Sequence, residues 1–340
     1  MARNAPAFVQ WTQYLAARIA VMALTSFDGD LNLRTAAHLG RWLYRCDRRH
    51  RHRTLAHLRS AFPEMTDARI EQLAIRSFEH FVQLLVEISH TPRLIHDDSW
   101  HRRLQLRNLS GAIELFNAGK PAILITGHLG NWELLGYLLA VLGLRLDAIA
   151  RPMDNRLISD WIYGIRERRG MRIITKWGAT DRMLNVLDTG GMLGFIADQN
   201  AGDKGLFVPF FGRLASTYKS IGLLAMDRNV PIICGYARRS GTQFKYELGV
   251  TDIIHPDDWQ HHRDPLYYIT ARYMRAIELT IRDVPDQYLW MHRRWKSRPR
   301  HERLGKPAPA PLRRNLEQLP WMQPAMLEQV LDPGPFGADN

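Results

Sequence analysis

Two kinds of hydrophobic pattern divide the chain. In the first part apolar positions recur every three or four residues, as in TDARIEQLAIRSFEHFVQLLVEIS, which predicts an amphipathic helix that begins at Thr66–Asp67. From residue 122 short apolar, β-branched runs alternate with amphipathic helical segments. This alternation predicts an α/β domain in which helices cover a largely parallel sheet. We therefore expect an N-terminal helical, membrane-docking region over residues 1–108 and an α/β domain over residues 109–300.

Six short runs account for the predicted strands. They are AILIT from residue 122, LDAIA from 146, MRIIT from 171, MLGFIA from 192, VPIICGYA from 230 and FKYELGV from 244. The domain closes with PLYYITARYMRAIELTIRD, which predicts a long helix over residues 265–283. Seven prolines follow residue 299, and this composition predicts a loosely ordered tail over residues 301–340.

The N-terminal segment FVQWTQYLAARIAVMALTSF, residues 8–27, is about as long as a membrane span. It contains Gln10, Gln13 and Arg18, and an arginine near the centre of a span costs about 3 kcal/mol. Its mixture of aromatic and cationic residues favours a helix that lies in the membrane interface. An ordinary soluble helix and a true span are the alternatives.

The charge of the chain indicates an anionic partner. A formal charge of +12 and a pI of about 10.0 suit nucleic acid, a phospholipid surface, or a substrate that is phosphorylated or carried by an acidic protein. The two cysteines, Cys46 and Cys234, are far apart and form neither a disulfide framework nor a CxxC metal knuckle. The basic run RCDRRHRHRTLAHLRSAF is a solvated face, a contact for anionic lipid or, less simply, a histidine metal site.

The candidate chemistry lies in ILITGHLGNWELLGYLLAVLG, where His128 and Glu133 interrupt an apolar stretch. Burying either group unpaired costs several kcal/mol, so the two form a structural pair or mark a site. Gly130 permits a tight turn and Asn131 can cap a helix, which would place His128 in the loop and Glu133 in the first helical turn. The spacing alone leaves three readings open: a catalytic dyad, a satisfied structural pair and a metal site.

Several motifs in a fixed order resemble one family. GHLGNWE is similar to the His-x4-acid motif of glycerolipid acyltransferases, and its wording resembles the lipid A biosynthesis (late) acyltransferase family. SAFPEMTD, ARPMDNRLISDW, IRERRG, ADQNAGDKGLFVPFFGRLAST and PDQYLWMHRRWKSRP resemble further motifs of that family over residues 15–300. The chain departs from the pattern at His57, where the family usually has Asn, and in the proline-rich tail.

The resemblance implies transfer of a fatty acyl group from acyl-carrier protein or acyl-CoA to a hydroxyl of a lipid A precursor, an anionic membrane lipid. It implies neither a covalent enzyme intermediate nor a cofactor or metal. His128 would be the general base, with its tautomer fixed by Glu133. We add that backbone N–H groups near Gly130 and Asn131 are placed to hold the thioester oxyanion. The enzyme would act at the cytoplasmic face of the inner membrane, peripherally or anchored through its N-terminus.

Arginines and a strand end complete the candidate site. Arg151 and Arg166 match family motif arginines and would contact substrate anions, unless they are surface charges or sheet-end salt-bridge partners. Asp198 and Gln199 end the fourth predicted strand and so face the ligand edge of the sheet. A structural role for Asp198, capping the NAGDKG loop, is the alternative to ligand contact. The cations of HRRWK, among them Arg294, contact ligand or form a solvated patch.

Two other functions compete with acylation of lipid A. A related acyltransferase for another membrane lipid, such as a phosphatidylinositol mannoside or an aminolipid, would share the same motifs. A basic protein that binds nucleic acid or membranes without catalysis would explain the charge. The sequence contains no stacking-aromatic motif or helix-turn-helix pattern, so we expect no nucleic-acid partner.

Overall fold

The structure, a computed structural model, describes residues 6–96, 99–144, 146–149, 154–167, 171–175 and 179–334. Within them the α-helices are α1 Ala7–Thr25, α2 Gly29–Cys46, α3 Arg48–Ala61, α4 Asp67–Leu94, α5 Ser110–Asn117, α6 Trp132–Val141, α7 Arg156–Glu167, α8 Ala179–Asp188, α9 Ser220–Arg228, α10 Pro256–Trp259, α11 Pro265–Asp283, α12 Arg300–Arg303, α13 Ala310–Glu317 and α14 Pro324–Leu331. The strands are β1 Leu104–Arg107, β2 Ala122–Thr126, β3 Leu146–Ile149, β4 Arg172–Ile174, β5 Met192–Ile196, β6 Leu206–Phe210, β7 Arg213–Thr217, β8 Ile232–Arg239 and β9 Tyr246–Ile254.

Seven of these strands form one sheet in the order β1-β9-β8-β2-β5-β3-β4. Neighbouring strands run parallel except for β8 and β9, which are antiparallel. The remaining two strands, β6 and β7, form a separate antiparallel hairpin. The prediction of an α/β domain with a largely parallel sheet is therefore confirmed, and an N-terminal helical region precedes it.

Strand β2 lies at the centre of the sheet and is buried along its whole length. Its side chains alternate between two hydrophobic cores, one on each face of the sheet. Ile123 and Ile125 belong to the core that includes Ile277 of α11, whereas Leu124 belongs to the core that includes Leu134 and Leu138 of α6. Burial on both faces explains why AILIT reads as a continuous apolar run.

Two helices begin where the hydrophobic pattern places them. Helix α11 also ends as predicted, whereas α4 continues to Leu94, five residues past the predicted run that ends at Ser89. Helix α4 starts after Thr66, whose side chain accepts a hydrogen bond from the backbone N–H of Arg69 at 3.4 Å, and Asp67 is the first helical residue. Helix α11 spans the predicted residues 265–283, and the side chain of Asp264 caps its first turn. The starts of both helices could be predicted because a capping residue precedes a long amphipathic run in each.

Strand β1 is a difference from the sequence analysis, which assigned residues 1–108 to helices. It pairs in parallel with β9 and so joins the edge of the sheet. Its four residues, LQLR, carry too short a pattern to separate a strand from a helix.

The tail also differs from the expected loose order. Helices α13 and α14 bury Leu316 and Val330 completely, and Arg213 of β7 donates hydrogen bonds to the backbone carbonyls of Pro333 and Gly334 at 2.6 and 3.1 Å. The prolines that suggested disorder include Pro324, the first residue of α14, where a missing N–H costs nothing.

Helix α1 presents apolar side chains to the outside. We call apolar stripe the five residues of α1 that are large, apolar and at least half exposed: Phe8, Trp11, Leu15, Ile19 and Met22. Their spacing of three or four residues places them on one face of the helix. Among the residues that the structure describes, no helix is both long and apolar enough to cross a bilayer.

Candidate active site

The ends of two neighbouring strands bring an imidazole and a carboxylate together. Thr126, the last residue of β2, pairs with Ile196, the last residue of β5, in parallel register. His128 and Asp198 each follow two residues later, so their side chains meet at the carboxyl edge of the sheet. Oδ1 of Asp198 lies 2.7 Å from Nδ1 of His128, and Oδ2 accepts the His128 backbone N–H at 3.0 Å.

The sequence analysis assigned orientation of the ring to Glu133, and the structure corrects that assignment. The hydrogen bond at Nδ1 of His128 is made by Asp198, because β5 rather than α6 supplies the nearest carboxylate. Glu133 does lie in the first turn of α6, as expected. It acts on His128 as a charge that raises the ring's pKa, behind the larger contributions of Asp198.

Burial and charge act against each other in this pair. Burial alone would lower the pKa of His128, but the charge and hydrogen bond of Asp198 outweigh it, and the pKa lies above the ordinary 6.5. Burial alone would raise the pKa of Asp198, but His128 and the charge of Arg294 lower it to about 2. Asp198 is therefore a carboxylate at neutral pH and stabilises an imidazolium beside it.

The second nitrogen of the imidazole is the one available to substrate. Nδ1–H of His128 is donated to Asp198, so Nε2 carries the lone pair, which the side-chain amide of Gln199 contacts at 3.0 Å. The His128 side chain is 15% exposed. The rings of Trp132 and His292 lie beside it, with centroids at 4.9 and 6.3 Å. Of the sequence-predicted residues, the structure brings His128, Asp198 and Gln199 together.

The backbone donors expected for an oxyanion at Gly130 and Asn131 are already used. The N–H of Gly130 donates to the carbonyl of Gln287 at 2.9 Å, and the N–H of Asn131 donates to the carbonyl of Ala237 at 2.7 Å. The Asn131 side chain is fully buried and caps α6 by accepting the Leu134 N–H at 2.8 Å. The capping prediction is confirmed, whereas the expectation that these two N–H groups hold an oxyanion is wrong.

A buried polar network, absent from the sequence analysis, supports the turn that follows His128. The carboxylate of Glu87 in α4 accepts the side-chain amide of Asn131 at 2.9 Å and lies 3.1 Å from the guanidinium of Arg239. His80 donates to the carbonyl of Gly130 at 3.1 Å, and burial lowers its pKa to about 3, which keeps the ring neutral. The available sequence signal was a lone acid, Glu87, inside the apolar run LLVEIS.

The motif near residue 290 holds the site from the other side. The carbonyl of His128 accepts the N–H of Leu289 at 3.0 Å, next to the bond from Gly130 to Gln287. Arg294 is almost completely buried and donates to the carbonyl of Gln199 at 3.2 Å and to Oγ1 of Thr217 at 2.7 Å. Arg294 therefore positions the Gln199 loop, and the reading of this residue as part of a solvated patch is wrong.

Two arginines, Arg151 and Arg166, were expected to contact substrate anions. Arg151 lies outside the described residues, and the side chain of Arg166 in α7 does too. Their roles stay predictions.

Comparison with known proteins gives one consistent result. The family model for bacterial lipid A biosynthesis acyltransferases matches residues 4–297. The chain is 26% identical to the lipid A biosynthesis lauroyltransferase of Escherichia coli K12 over 251 residues, 71% of this chain and 78% of the relative. It is 28% identical to the palmitoleoyltransferase of the same organism over 255 residues (71% and 77%) and 22% identical to lipid A biosynthesis acyltransferase 2 of Shigella flexneri over 271 residues (78% and 84%).

Proposed function

Because the chain belongs to the bacterial lipid A biosynthesis acyltransferase family, we propose that it transfers a fatty acyl group from an acyl thioester to a hydroxyl of a lipid A precursor. Membership of the family makes it an acyltransferase. The observation that carries the mechanism is the orientation of His128, whose Nδ1–H is held by Asp198 while Nε2 faces the ligand edge of the sheet.

His128 acts as a general base and then as a general acid. Nε2 accepts the proton of the acceptor hydroxyl while its oxygen attacks the thioester carbonyl and forms a tetrahedral oxyanion. Collapse of this intermediate breaks the carbon–sulfur bond, and the proton on Nε2 passes to the departing thiolate. Asp198 carries a negative charge throughout and stabilises the transient imidazolium, as the carboxylate does in a Ser-His-Asp triad.

Transfer is direct, without an acyl-enzyme. In a Ser-His-Asp triad the serine hydroxyl occupies the position beside Nε2, and in this chain the amide of Gln199 occupies it. An amide is not a nucleophile, so the acceptor hydroxyl takes that position when it binds. The displaced amide N–H of Gln199 is then the nearest donor for the thioester oxyanion, helped by the positive end of α6.

The acceptor is a membrane lipid and the donor a soluble thioester of acyl-carrier protein or coenzyme A. The exposed apolar stripe of α1 and the +12 charge support docking on an anionic membrane surface, where the acceptor resides. Peripheral docking at the cytoplasmic face of the inner membrane places the site within reach of both substrates.

Reconstituted transfer tests the proposal. Purified protein is incubated with acyl-carrier protein thioester or acyl-CoA and with a lipid A precursor, and products are identified by mass spectrometry. We expect one acyl chain to be added to the precursor, and His128→Ala to lower the rate about 10²–10⁴-fold with an unchanged melting temperature. Acylation of a phosphatidylinositol mannoside or an aminolipid, with an inert lipid A precursor, would replace the proposed acceptor. Full activity of His128→Ala would refute the mechanism.

A further inference from the structure

A basic cleft lies between the tail and the loop that leaves the active site. We call it the tail cleft; its volume is about 960 Å³. One wall is the segment from Asp203 to Phe207, and the other is formed by residues 298–312. The family model matches residues 4–297, so the second wall lies beyond the matched region.

Unpaired positive charge lines the tail cleft. Arg298 is paired with Glu302 at 2.6 Å, and Arg303 lies 3.7 Å from Asp203. Four further cations line the cleft and form no ion pair with any residue that the structure describes: Lys204, Lys219, Arg300 and Lys306. All four side chains are exposed to solvent, which weakens their mutual repulsion, and an anion bound among them lowers it further.

Two polar atoms at the tail cleft lack protein partners. Tyr267 of α11 is only 3% exposed, lines the cleft, and its hydroxyl forms no hydrogen bond within the described part of the chain. Nε2 of His301, on the opposite wall, is also buried and forms no hydrogen bond within the described part of the chain. Both atoms have less than 1 Å² of accessible surface, so a ligand in the cleft reaches them only if the side chains around them shift. An unsatisfied buried hydroxyl costs about 1–3 kcal/mol, which a ligand atom that does reach it would recover.

We propose that the tail cleft binds the phosphate group of a small ligand whose body is the size of a sugar or a nucleotide. Phosphate oxygens accept hydrogen bonds from ammonium, guanidinium and hydroxyl groups together, which is the donor set present. Apolar side chains such as Leu206, Phe207 and Leu312 line the same cleft and suit the face of a ring. The cleft is open to solvent, and its volume lies within the usual range for small-molecule sites.

The position of the cleft suggests which phosphates reach it. Asp203 follows Gln199 by four residues, so their Cα atoms are at most about 14 Å apart even if the chain is fully extended. A ligand that reacts at His128 could therefore place a phosphate in the tail cleft. On the proposed function two sources supply one: the phosphorylated sugar of the lipid acceptor and the phosphorylated end of a coenzyme A thioester. Binding itself does not depend on the acyl-transfer proposal.

Calorimetric titration of the full-length protein distinguishes these sources. Glucosamine 1-phosphate represents the acceptor, adenosine 3′,5′-bisphosphate represents coenzyme A, and glucosamine and adenosine are the unphosphorylated controls. We expect one phosphorylated compound to bind at least about tenfold more tightly than its control, and rising salt to weaken that binding. The compound that binds identifies the source.

Two matched pairs of variants locate the binding in the cleft. Tyr267→Phe removes the unsatisfied hydroxyl and should raise the Kd about three- to tenfold without lowering the melting temperature. Its neighbour Tyr268, whose hydroxyl accepts from Arg272 at 3.2 Å and which does not line the cleft, is the control as Tyr268→Phe, with an unchanged Kd. Lys306→Gln should raise the Kd about threefold, whereas Arg314→Gln, an equal loss of charge on the exposed face of α13, should not.

Two results would overturn the proposal. One is equal binding of each phosphorylated compound and its control, with all four variants alike. The other is binding of an acidic carrier protein that Lys306→Gln weakens, with no binding of either phosphorylated compound, which would make the cleft a protein-docking surface. Both experiments measure binding without turnover, so inactivity of the enzyme in the acyl-transfer assay would leave their outcome unaffected.

Discussion

At the scale of single residues, the proposed mechanism makes the activity depend on the protonation of His128. A general base must be neutral, and Asp198 favours the charged ring, so the same carboxylate that orients His128 also raises the pKa above which it becomes active. In that mechanism Asp198 fixes the tautomer of His128 and stabilises the imidazolium of the transition state. The expected cost is lower activity at mildly acid pH.

This balance predicts the pH dependence of Asp198→Asn. Wild-type kcat/KM should rise with pH through an apparent pKa above 6.5, because His128 must lose its proton. Replacing the carboxylate removes the charge that raises this pKa, so the rising limb should move to lower pH, while the plateau falls about 10²–10⁴-fold. Steady-state rates between pH 5 and 9 measure both effects.

Glu133→Gln is the matched control for that experiment. It also removes one negative charge near His128, but the charge of Glu133 contributes less to the pKa than Asp198 does. The rising limb of the pH profile of Glu133→Gln should therefore move less than that of Asp198→Asn. A larger shift in Glu133→Gln would return the orienting role to Glu133, as the sequence alone suggested.

The effects of replacing His128 and Asp198 should not be additive. His128→Ala/Asp198→Ala should be little slower than the slower of the two single variants, because Asp198 acts through the ring it holds. Single-turnover rates of the wild type, the two single variants and the double variant provide a double-mutant cycle. Multiplicative losses would mean that Asp198 has a role of its own in the reaction.

At the scale of elements, the turn after His128 depends on a charge pair buried between α4 and β8. Glu87→Leu leaves Arg239 without its carboxylate in a buried place, and we expect a loss of about 3–5 kcal/mol in the free energy of unfolding. Adding Arg239→Met should restore part of it, since no unpaired charge then remains. Urea unfolding of both variants measures the difference, and a double variant less stable than Glu87→Leu would contradict a coupled pair.

The tail helices are the second element whose stability can be tested. Leu316→Ala opens a cavity beneath α13 and should lower the free energy of unfolding by about 2–5 kcal/mol. Arg314→Gln, on the exposed face of the same helix, should change it by no more than about 0.5 kcal/mol. A loosely ordered tail would give two equal and negligible effects.

Some elements of the fold could be predicted from the sequence and others could not. AILIT and MLGFIA could be predicted from their short, continuous apolar runs, and the helix of residues 265–283 from its helical hydrophobic period. The meeting of His128 with Asp198 could not, because it requires β5 to lie beside β2, and strand order is set by long-range packing. Asp198 was placed at the right edge of the sheet, but its partner was not identified. The prediction of a loosely ordered tail was wrong for a different reason: composition alone does not show that Pro324 begins a helix.

At the scale of the whole molecule, polar groups in the first part of helix α1 contact helix α7 and the residue that precedes it. The side-chain amide of Asn155 donates to the carbonyl of Gln10 at 3.0 Å, and the guanidinium of Arg18 lies 5.3 Å from the ring of Trp161. Arg18, which argued against a membrane span, therefore faces α7. The apolar stripe is left outside, an arrangement that is costly in water and favourable at a lipid interface.

This orientation predicts membrane binding through the stripe. Full-length protein should sediment with anionic vesicles, and high salt should release part of it, because basic residues near the surface add about 1 kcal/mol each. Ile19→Glu removes the burial of one large apolar side chain and adds repulsion, so the fraction bound should correspond to at least about tenfold weaker partition. Activity on vesicle-borne acceptor should fall in parallel, while activity on detergent-dispersed acceptor should be kept.

Leu223→Glu on α9 is the control, since Leu223 is an equally large apolar residue that is half exposed but lies outside the stripe. If the two glutamate variants lost the same amount of vesicle binding, general charge rather than α1 would hold the protein to the membrane. The basic stretch of residues 45–59 would then be the next segment to test. If only Ile19→Glu is released, the outward-facing stripe is the anchor, and the catalytic edge of the sheet works from a fixed position above its lipid.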